Sequence, residues 1–356
     1  MSHRHALWVS TSLETKGGIS SFVNVMRETP LWGRWHVRHV ATHRDGDALV
    51  KLLTFARASG SVLWELVVHR PSVMHVHMSS YGSFARKSLV AWAGRLAQVP
   101  VVIHVHGSEF ELFFERCPRA LQRYISATLN EASVVIALGE TWAQRLVTIA
   151  PLAHVAVVPN AVTPQAQTPQ PDTGQPVSVL FLGIIGDRKG AFTLIDAWAL
   201  MKDAPLNRVR AQLTLAGDGS VQEARARVQQ LGLSDDIHVL GWTASSEVEA
   251  LLRSSQVLVL ASRSEGQPMA VLEAMAHGLC VVVTDVGGIP DMIDSSCGVF
   301  VPVDDSRALA AALLAVITDQ ARREKLGAAA LQRVRERFDA DVAWRTLDAI
   351  YAEVAR

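Results

Sequence analysis

The chain of 356 residues is longer than one hydrophobic core usually supports, so we expect two domains. Apolar residues make up 49% of it and charged residues 19%, which excludes the disordered and collagen-like classes. Its three cysteines, Cys117, Cys280 and Cys297, are too scattered for a disulfide framework or a paired-cysteine metal site. No apolar run approaches the roughly 18–20 residues of a membrane-spanning helix, and the N-terminus resembles a strand rather than a signal peptide. A cytoplasmic protein, or one peripheral on a membrane, is predicted.

The formal net charge of zero conceals an asymmetry between the two halves. Up to Pro164 there are 16 Lys and Arg against 10 Asp and Glu, whereas the remainder has 18 against 24. The basic half also holds 11 of the 13 histidines, which favours an acidic or phosphorylated partner, although ordinary surface variation would also explain it. Nucleic acid is not expected as a partner, because no basic run contains interleaved aromatic residues.

Short apolar runs alternate with longer amphipathic stretches, the pattern of βα units that build parallel sheets. The predicted strands of the first half are 5–10, 35–41, 72–78, 99–105, 133–139 and 155–159. After a Pro- and Gln-rich stretch typical of a linker, strands are predicted at 178–183, 212–217, 237–242, 256–262 and 279–284.

These elements predict an α/β protein with two Rossmann-like, doubly wound domains. We expect the first at 1–164 and the second at 177–337, joined by a linker at 165–176. A C-terminal helix at 338–356 is expected to pack back on the first domain. Ligands of such sheets bind outside the carboxyl ends of the strands, so two domains facing each other would place those ends on opposite walls of one cleft.

The most specific segment, 262–284, is a strand exit followed by a polar loop, a helix and a glycine stop. If the helix begins near Met269, its unpaired N–H groups and positive dipole end suit a phosphate. Glu265 on the loop would then accept hydrogen bonds from sugar hydroxyls, and Glu273 would reach ribose hydroxyls. The structural alternative is that Glu265 caps the helix and Glu273 compensates its dipole.

Other strand exits supply cations and glycines. Arg188 and Lys189 follow a strand that ends at Gly183, where cations suit a diphosphate, although a solvated charged turn would look the same. Gly217 and Gly219 end the next strand, but without a complete GxGxxG motif they are weak evidence.

Polar residues also follow two strands of the first half. His106 ends its strand directly before Gly107, whereas His104 lies within the strand and is expected to be a core residue. The neighbouring strand exit and helix start contain Ser79, Ser80, Arg86 and Lys87.

No metal and no cofactor are expected. No DxD motif follows a strand in a position to hold Mg²⁺, and Asp304 and Asp305 resemble a helix cap. No side chain stands out as a covalent nucleophile with its own base.

Two stretches of the basic half suggest contact with an anionic membrane surface. Segment 83–99 places basic residues on an apolar-faced helix, and segment 109–125 places three phenylalanines ahead of three arginines, a pattern of interfacial helices. Core packing would explain each stretch separately. The phenylalanines are Phe110, Phe113 and Phe114, and the cations include Arg86, Lys87 and Arg95.

Taken in order, these motifs resemble glycosyltransferase family 4 over nearly the whole chain. Glu265 and Glu273 match that family's E-x7-E signature, and the surrounding block EGQPMAVLEAMAHG is similar to members that build bacterial exopolysaccharide and O-antigen units. The other matching positions are Gly17-Gly18, His106-Gly107, Pro159-Asn160, Gly183 to Gly190, Gly217-Asp218-Gly219 and Gly287-Gly288.

The resemblance implies a GT-B fold and a role for each matched residue. Lys189 and Arg188 would hold the β-phosphate, Glu265 would bind the transferred sugar and Glu273 the ribose, while His106 lies near the reacting sugar. Further donor contacts would come from Gly17, Gly18, Gly183, Gly217, Gly219, Gly266, Gln267, Pro268, Met269 and Ala270. Acceptor contacts would come from Ser79, Ser80, Arg86, Lys87 and Gly107. In one departure, Ile184 stands where the family often has an arginine, which puts the first phosphate contact in doubt.

The expected activity is retaining, metal-independent transfer of a sugar from a UDP- or GDP-sugar to a saccharide acceptor. By resemblance, the acceptor is a polyprenyl-diphosphate-linked oligosaccharide at the inner face of a bacterial membrane. Two alternatives remain, a sugar-nucleotide epimerase of the same fold and a non-catalytic sugar-nucleotide-binding subunit. An epimerase needs acid and base carboxylates that the first half does not provide, and donor hydrolysis without acceptor would distinguish an enzyme from a binding subunit.

Overall fold

The computed structural model describes residues 4–15, 17–172, 174–201 and 210–355. They divide into two compact units, the first ending at Ala161 and resuming at Ala340, the second running from Val162 to Asp339. The expected linker 165–176 is not a separate segment: the N–H of Gln165 donates to the carbonyl of Ala276, and that of Thr168 to His277, each at 2.8 Å. A Pro- and Gln-rich composition does not prevent the remaining amides from pairing, so this stretch belongs to the second unit.

Parallel strands and helices alternate along both units. The strands are β1 (Ala6–Ser10), β2 (Arg38–Ala41), β3 (Val73–Met78), β4 (Val101–Val105), β5 (Val134–Ala137), β6 (Val155–Val157), β7 (Val177–Leu182), β8 (Ala211–Ala216), β9 (Ile237–Gly241), β10 (Val257–Leu260), β11 (Cys280–Thr284) and β12 (Val299–Val301). The helices are α1 (Gly18–Arg27), α2 (Pro30–Arg34), α3 (Ala48–Trp64), α4 (Gly82–Leu96), α5 (Phe110–Arg116), α6 (Arg119–Asn130), α7 (Glu140–Ile149), α8 (Ala191–Met201), α9 (Val221–Gln230), α10 (Ser245–Ser254), α11 (Met269–Ala276), α12 (Ile289–Met292), α13 (Ser306–Thr318), α14 (Gln320–Arg333) and α15 (Ala340–Val354).

The sheet of the first unit has the order β2-β1-β3-β4-β5-β6. Successive side chains of a strand point to opposite faces, so Leu7 and Trp8 enter different cores. The core around Trp8 also takes in Leu347 and Tyr351, which are fully buried on α15. The end of the chain therefore completes the first unit.

The sheet of the second unit has the order β12-β11-β10-β7-β8-β9, so the chain builds outward in both directions from the junction of β7 and β10. Such a junction leaves a crevice outside the carboxyl ends of its two strands, where doubly wound proteins bind ligands. The central strands β10 and β11 are buried on both faces, which explains their uninterrupted apolar sequence. The twelfth strand, β12, was not predicted, although the equally short β6 was.

Two predicted helix starts are confirmed. Helix α11 begins at Met269, and the Asp305 carboxylate caps α13 by accepting a hydrogen bond from the N–H of Ala308 at 2.8 Å. Among the described residues, no helix combines the length and the apolar character needed to cross a bilayer.

Glycines allow the strand exits of the second unit to approach one another. Gly217 has φ +149°, and a Cβ there would lie 1.8 Å from the carbonyl oxygen of Gly183 at the neighbouring exit. Gly287 has φ +59°, and its Cβ would lie 1.8 Å from the carbonyl oxygen of Glu265. Neither position accepts a larger residue without backbone movement.

We expect Gly217→Ala to lower the free energy of unfolding by about 2–4 kcal/mol, because the methyl group would combine an unfavourable φ with a backbone clash. Gly33→Ala is the matched control, since its Cβ would meet nothing within 4 Å. Denaturant unfolding followed by circular dichroism measures both. Equal stability of the two variants would contradict the close approach of Gly217 to Gly183.

Candidate active site

The functional side chains of the second unit meet where β7 and β10 lie side by side. Lys189 follows β7 and Glu265 follows β10, and the Lys189 Nζ donates to Glu265 Oε1 at 2.5 Å. Both side chains are largely buried, at 16% and 5% exposed. The two residues are 76 positions apart in the sequence, and the parallel sheet brings them together. Loss of either partner would leave a buried charge without compensation.

A set of buried polar groups fixes the Glu265 loop. Ser262, fully buried, donates its hydroxyl to Glu265 Oε1 at 2.6 Å. The Thr284 hydroxyl at the end of β11 donates to the Ser262 carbonyl at 2.5 Å, and the N–H of Gly288 donates to the Glu265 carbonyl at 3.2 Å. Sequence reasoning missed Ser262 and Thr284, because small hydroxyl residues at strand ends are common and carry no distinct pattern.

The loop after Glu265 leads directly into helix α11. Gly266, Gln267, Pro268 and Met269 are all buried, and no side chain caps the helix at Pro268. The first N–H groups of a helix have no partner within it, and they carry the positive end of its dipole. An uncapped helix start beside Lys189 is chemically suited to an anion.

Glu273 lies further along α11 and is half-buried. Burial raises the pKa of its carboxyl group to about 7, while the nearby His277 opposes the shift and Glu249 adds to it. The carboxyl group is thus poised between its neutral and charged forms near neutral pH.

The remaining predicted donor residues differ in exposure. Arg188 is exposed, one residue from the buried Lys189, and Ile184 is 57% exposed on the loop after β7. Gly219 pairs with Ile185 in an isolated bridge that joins the exits of β7 and β8. In the first unit, Gly17 and Gly18 are exposed at the start of α1, which has no side-chain cap.

The predicted acceptor residues of the first unit meet at the exits of β3 and β4. The N–H of His106 donates to the Met78 carbonyl at 2.8 Å, which joins the two exits. A Cβ at Gly107 would lie 2.9 Å from the hydroxyl oxygens of both Ser79 and Ser80. These residues therefore form one small polar surface at the carboxyl edge of the sheet.

Lys87 does not present its charge to solvent, contrary to the expectation for segment 83–99. It is fully buried on α4, and its amine donates to the hydroxyl of Ser83 at 3.2 Å. Burial, with a smaller contribution from Arg86, lowers the pKa of Lys87 to about 7. Arg86 is half-buried with an unpartnered, buried Nε, and burial lowers its pKa too. Neither cation has an ion-pair partner among the described residues.

His106 belongs to a buried cluster of four histidines rather than standing alone at its strand exit. His75, His77 and His104 are fully buried beside it, and His106 Nε2 lies 3.0 Å from His77 Nδ1. Burial lowers the pKa of His106 well below its usual value, and its histidine neighbours lower it further. His106 is therefore neutral at neutral pH and acts through hydrogen bonds. His104 is a core residue, as expected.

Three of the clustered histidines have the composition and proximity of a metal-ligand set, since one nitrogen from each of His75, His77 and His104 lies within 4.8 Å of the others. The His75 ring stacks on those of His77 and His104, at interplanar angles of 24° and 11°. Imidazole lone pairs lie in the ring plane, so stacked rings turn their faces to one another instead of directing lone pairs at a shared ion. The Tyr351 hydroxyl and His75 Nδ1 are also hydrogen-bonded.

The phenylalanines of segment 109–125 are also not a membrane-facing surface. Phe110 and Phe113 are 1% and 6% exposed in the core of the first unit, and Phe114 packs against that core. An apolar residue every third or fourth position predicts an apolar helix face, but it does not distinguish a protein core from a bilayer. In this chain, that helix face packs in the core of the first unit.

Two doubly wound units with an anion-suited crevice define a two-domain protein of the GT-B class. Residues 23–161 match the model described as a glycosyl transferase 4-like domain, and residues 176–319 match glycosyl transferases group 1. The chain belongs to glycosyltransferase family 4, as the sequence motifs predicted.

Similar proteins come from several bacteria. TuaC of Bacillus subtilis (strain 168), a glycosyltransferase named for teichuronic acid biosynthesis, is 24% identical over 80% of this chain and 72% of its own length. The 2-deoxystreptamine N-acetyl-D-glucosaminyltransferase of Streptomyces fradiae is 28% identical over 81% of this chain and 72% of its own length. Among solved structures, HepE of Anabaena in complex with UDP aligns with a TM-score of 0.76 over 98% of this chain and all of that one, at 18% identity. The structural likeness supports the fold.

The raised pKa of Glu273 predicts a pH-dependent stability. Between pH 4.5 and about 7 the folded protein keeps a proton that the unfolded chain has lost, so the free energy of unfolding falls as the pH rises through this window. Glu273→Gln should remove this loss, so the variant should be more stable than wild type by about 1–3 kcal/mol at pH 8 and about equally stable at pH 4. Urea unfolding at the two pH values measures it. Glu223→Gln, exposed on α9, is the control, and an identical pH dependence in both variants would refute the shift.

Proposed function

We propose that the protein is a retaining, metal-independent glycosyltransferase that transfers a sugar from a nucleotide diphosphate sugar, a UDP- or GDP-sugar, to a saccharide acceptor. The observation that carries this proposal is the crevice between β7 and β10, which combines Lys189, Glu265 and the uncapped start of α11. Lys189 and the helix N–H groups would hold the diphosphate, and Glu265 would bind the sugar. The complex of HepE with UDP supports a nucleotide donor in a protein of the same fold.

In the proposed reaction, the acceptor hydroxyl attacks the face from which the nucleoside diphosphate departs, so the anomeric configuration is retained. Stabilising the negative charge on the leaving diphosphate is then the main catalytic task. Lys189, the exposed Arg188 and the start of α11 would share it. His106, neutral and held by His77, would orient the reacting sugar by hydrogen bonding.

For the acceptor we propose a polyprenyl-diphosphate-linked oligosaccharide in exopolysaccharide or O-antigen synthesis, used at the inner face of the bacterial membrane. Arg86 and Lys87 support this choice, because a half-buried guanidinium beside a fully buried amine, neither with a carboxylate partner among the described residues, favours an anionic ligand. They adjoin the Ser79 and Ser80 surface, where saccharide hydroxyls would bind. The names of two similar proteins, TuaC and the amylovoran biosynthesis glycosyltransferase AmsK of Erwinia amylovora, refer to biosynthesis of teichuronic acid and amylovoran, which supports a biosynthetic glycosyltransferase.

The direct test incubates the purified protein with UDP- or GDP-sugars chosen by a thermal-shift screen, with and without a synthetic polyprenyl-diphosphate saccharide. Acceptor-dependent release of nucleoside diphosphate, together with a product of retained configuration by NMR, is the expected result. Donor binding without turnover would favour a non-catalytic subunit. Conversion of the donor to its epimer would favour the epimerase alternative.

We expect Lys189→Met to weaken binding of the nucleotide sugar about tenfold to a hundredfold, because a charge-assisted hydrogen bond contributes about 1.5–3 kcal/mol. Calorimetric titration measures this loss. The variant also leaves Glu265 without its cation, so Lys189→Met combined with Glu265→Gln should recover thermal stability without recovering affinity. Lys325→Met on the exposed side of α14 is the control. Donor affinity equal to wild type in Lys189→Met would exclude Lys189 as a diphosphate ligand.

Activity is expected to survive EDTA, since the leaving diphosphate would already meet Lys189, Arg188 and the start of α11. Initial rates after EDTA treatment and dialysis should stay within about twofold of untreated enzyme. Abolished turnover that Mn²⁺ or Mg²⁺ restores would show that the diphosphate needs a metal ion.

A further inference from the structure

The outward side of α3 is apolar, the reverse of an ordinary surface helix. Of the 22 large hydrophobic residues that are exposed in the described part of the chain, eight lie within positions 49–68. They are Leu49 (62% exposed), Val50 (37%), Leu52 (63%), Leu53 (47%), Leu63 (55%), Trp64 (61%), Val67 (74%) and Val68 (50%). Exposed hydrophobic residues that are scattered singly need no explanation, but a contiguous patch marks an interaction surface.

Helical spacing places these residues on one stripe. Ala58 and Val62 form the buried side of α3 against the core of the first unit. On the opposite side, small and large apolar residues recur every three or four positions, the spacing of one helix face. This stripe, called here the α3 face, continues from α3 into the helical turn Glu65–His69 that follows it. It consists of Leu49, Leu53, Ala56, Gly60, Leu63 and Val67, with Leu52 and Trp64 beside it.

Cations predominate around the α3 face, although two exposed carboxylates, Asp45 and Asp47, precede it and Asp47 caps α3. Positions 48–70 contain the exposed cations Lys51, Arg57 and Arg70. The only carboxylate in this range, Glu65, is 4% exposed and pairs with Arg38 at 2.6 Å. An apolar stripe bordered by cations and a tryptophan is complementary to an anionic lipid surface, in which the headgroups are negative and the layer beneath them is apolar.

A second copy of the chain is the less favourable occupant. Arg57 borders the stripe at about the middle of its length, so two antiparallel α3 faces paired about a twofold axis would bring the two Arg57 side chains near each other without a carboxylate to compensate them. The same cation facing phosphate headgroups is stabilised instead.

We propose that the α3 face docks the protein on an anionic phospholipid bilayer. The proposal rests on the proposed function, because docking would bring the enzyme to a lipid-linked acceptor. His43, in the loop before α3, has a pKa that burial and then the charge of Arg86 lower; Asp45 opposes this shift, and Lys51 and Lys87 add smaller lowering effects. The start of the α3 face thus lies in the electrostatic neighbourhood of the cations assigned to the acceptor diphosphate. A diphosphate held at the bilayer surface would meet them there.

The test is flotation of the full-length protein with vesicles that contain about one third phosphatidylglycerol and neither donor nor acceptor. Wild-type protein should bind at low ionic strength, bind less as salt is added, and ignore vesicles of phosphatidylcholine alone. Leu63→Ser with Val67→Ser should reduce the partition coefficient at least about tenfold. Leu152→Ser with Leu200→Ser, which removes apolar residues that are 83% and 53% exposed elsewhere, should bind like wild type.

A charge-reversal pair separates the electrostatic contribution. Lys51→Glu with Arg57→Glu should abolish the salt-dependent part of binding, whereas Arg335→Glu, in the second unit, should not. Donor affinity by calorimetry should be unchanged in every variant. Absence of donor binding in the wild-type protein, with vesicle binding intact, would overturn the proposed function and leave docking standing.

Three results would overturn the docking proposal. They are wild-type protein that ignores anionic vesicles, Ser variants that bind as wild type does, and a wild-type dimer in light scattering that becomes monomeric in Leu63→Ser with Val67→Ser. The last result would assign the α3 face to a second copy of the chain.

Discussion

All strands of each sheet run in the same direction, and this constraint decides where chemistry can occur in the protein. In a parallel sheet, the loops that follow the strands all lie at the same edge, so residues far apart in sequence become neighbours there. Lys189 and Glu265 meet in this way at the junction of β7 and β10. The ion pair then holds the two exits together, while Ser262 and the glycine at 287 fix the loop behind it. Stability of the crevice and its chemistry thus depend on the same few contacts.

Much of the fold follows from periodicity alone. Each apolar run of the second half became a strand within a few residues, although β8 and β9 are only partly buried, and α11 began at the predicted Met269 because proline and glycine precede it. The short strand β12 was missed, although β6, which also has three residues, was predicted. The stretch 165–176 was predicted as a linker because its composition is typical of irregular structure. Composition does not show that the second unit provides hydrogen-bond partners for the amides of this stretch.

The candidate site was less predictable, because a sequence does not specify which side of a helix a core will cover. Arg86 and Lys87 are adjacent, so helical geometry turns them to different sides, and the fold buried the lysine. The same ambiguity applies to Phe110 and Phe113, and both are buried in the core of the first unit. Conversely, Leu63 and Val67 belong to an ordinary apolar pattern in the sequence, and only the structure leaves that side of α3 uncovered. Apolar spacing identifies a face, and the topology decides what it contacts.

Charge compensation distinguishes the two units. In the second unit the buried cation Lys189 already has a counter-charge, so the crevice is electrostatically satisfied within the fold, and an incoming diphosphate would have to compete with Glu265 for the same amine. In the first unit Lys87 has only a hydroxyl partner, and burial holds its pKa near 7, so the free energy of keeping a charge there is not offset within the fold. An anion beside Lys87 would favour the charged form of its amine, so the amine would take up a proton from solution. Binding to the first unit would therefore be coupled to proton uptake, whereas binding to the second would be coupled to release of the Glu265 carboxylate. That carboxylate then becomes available to accept hydrogen bonds from the sugar attached to the diphosphate.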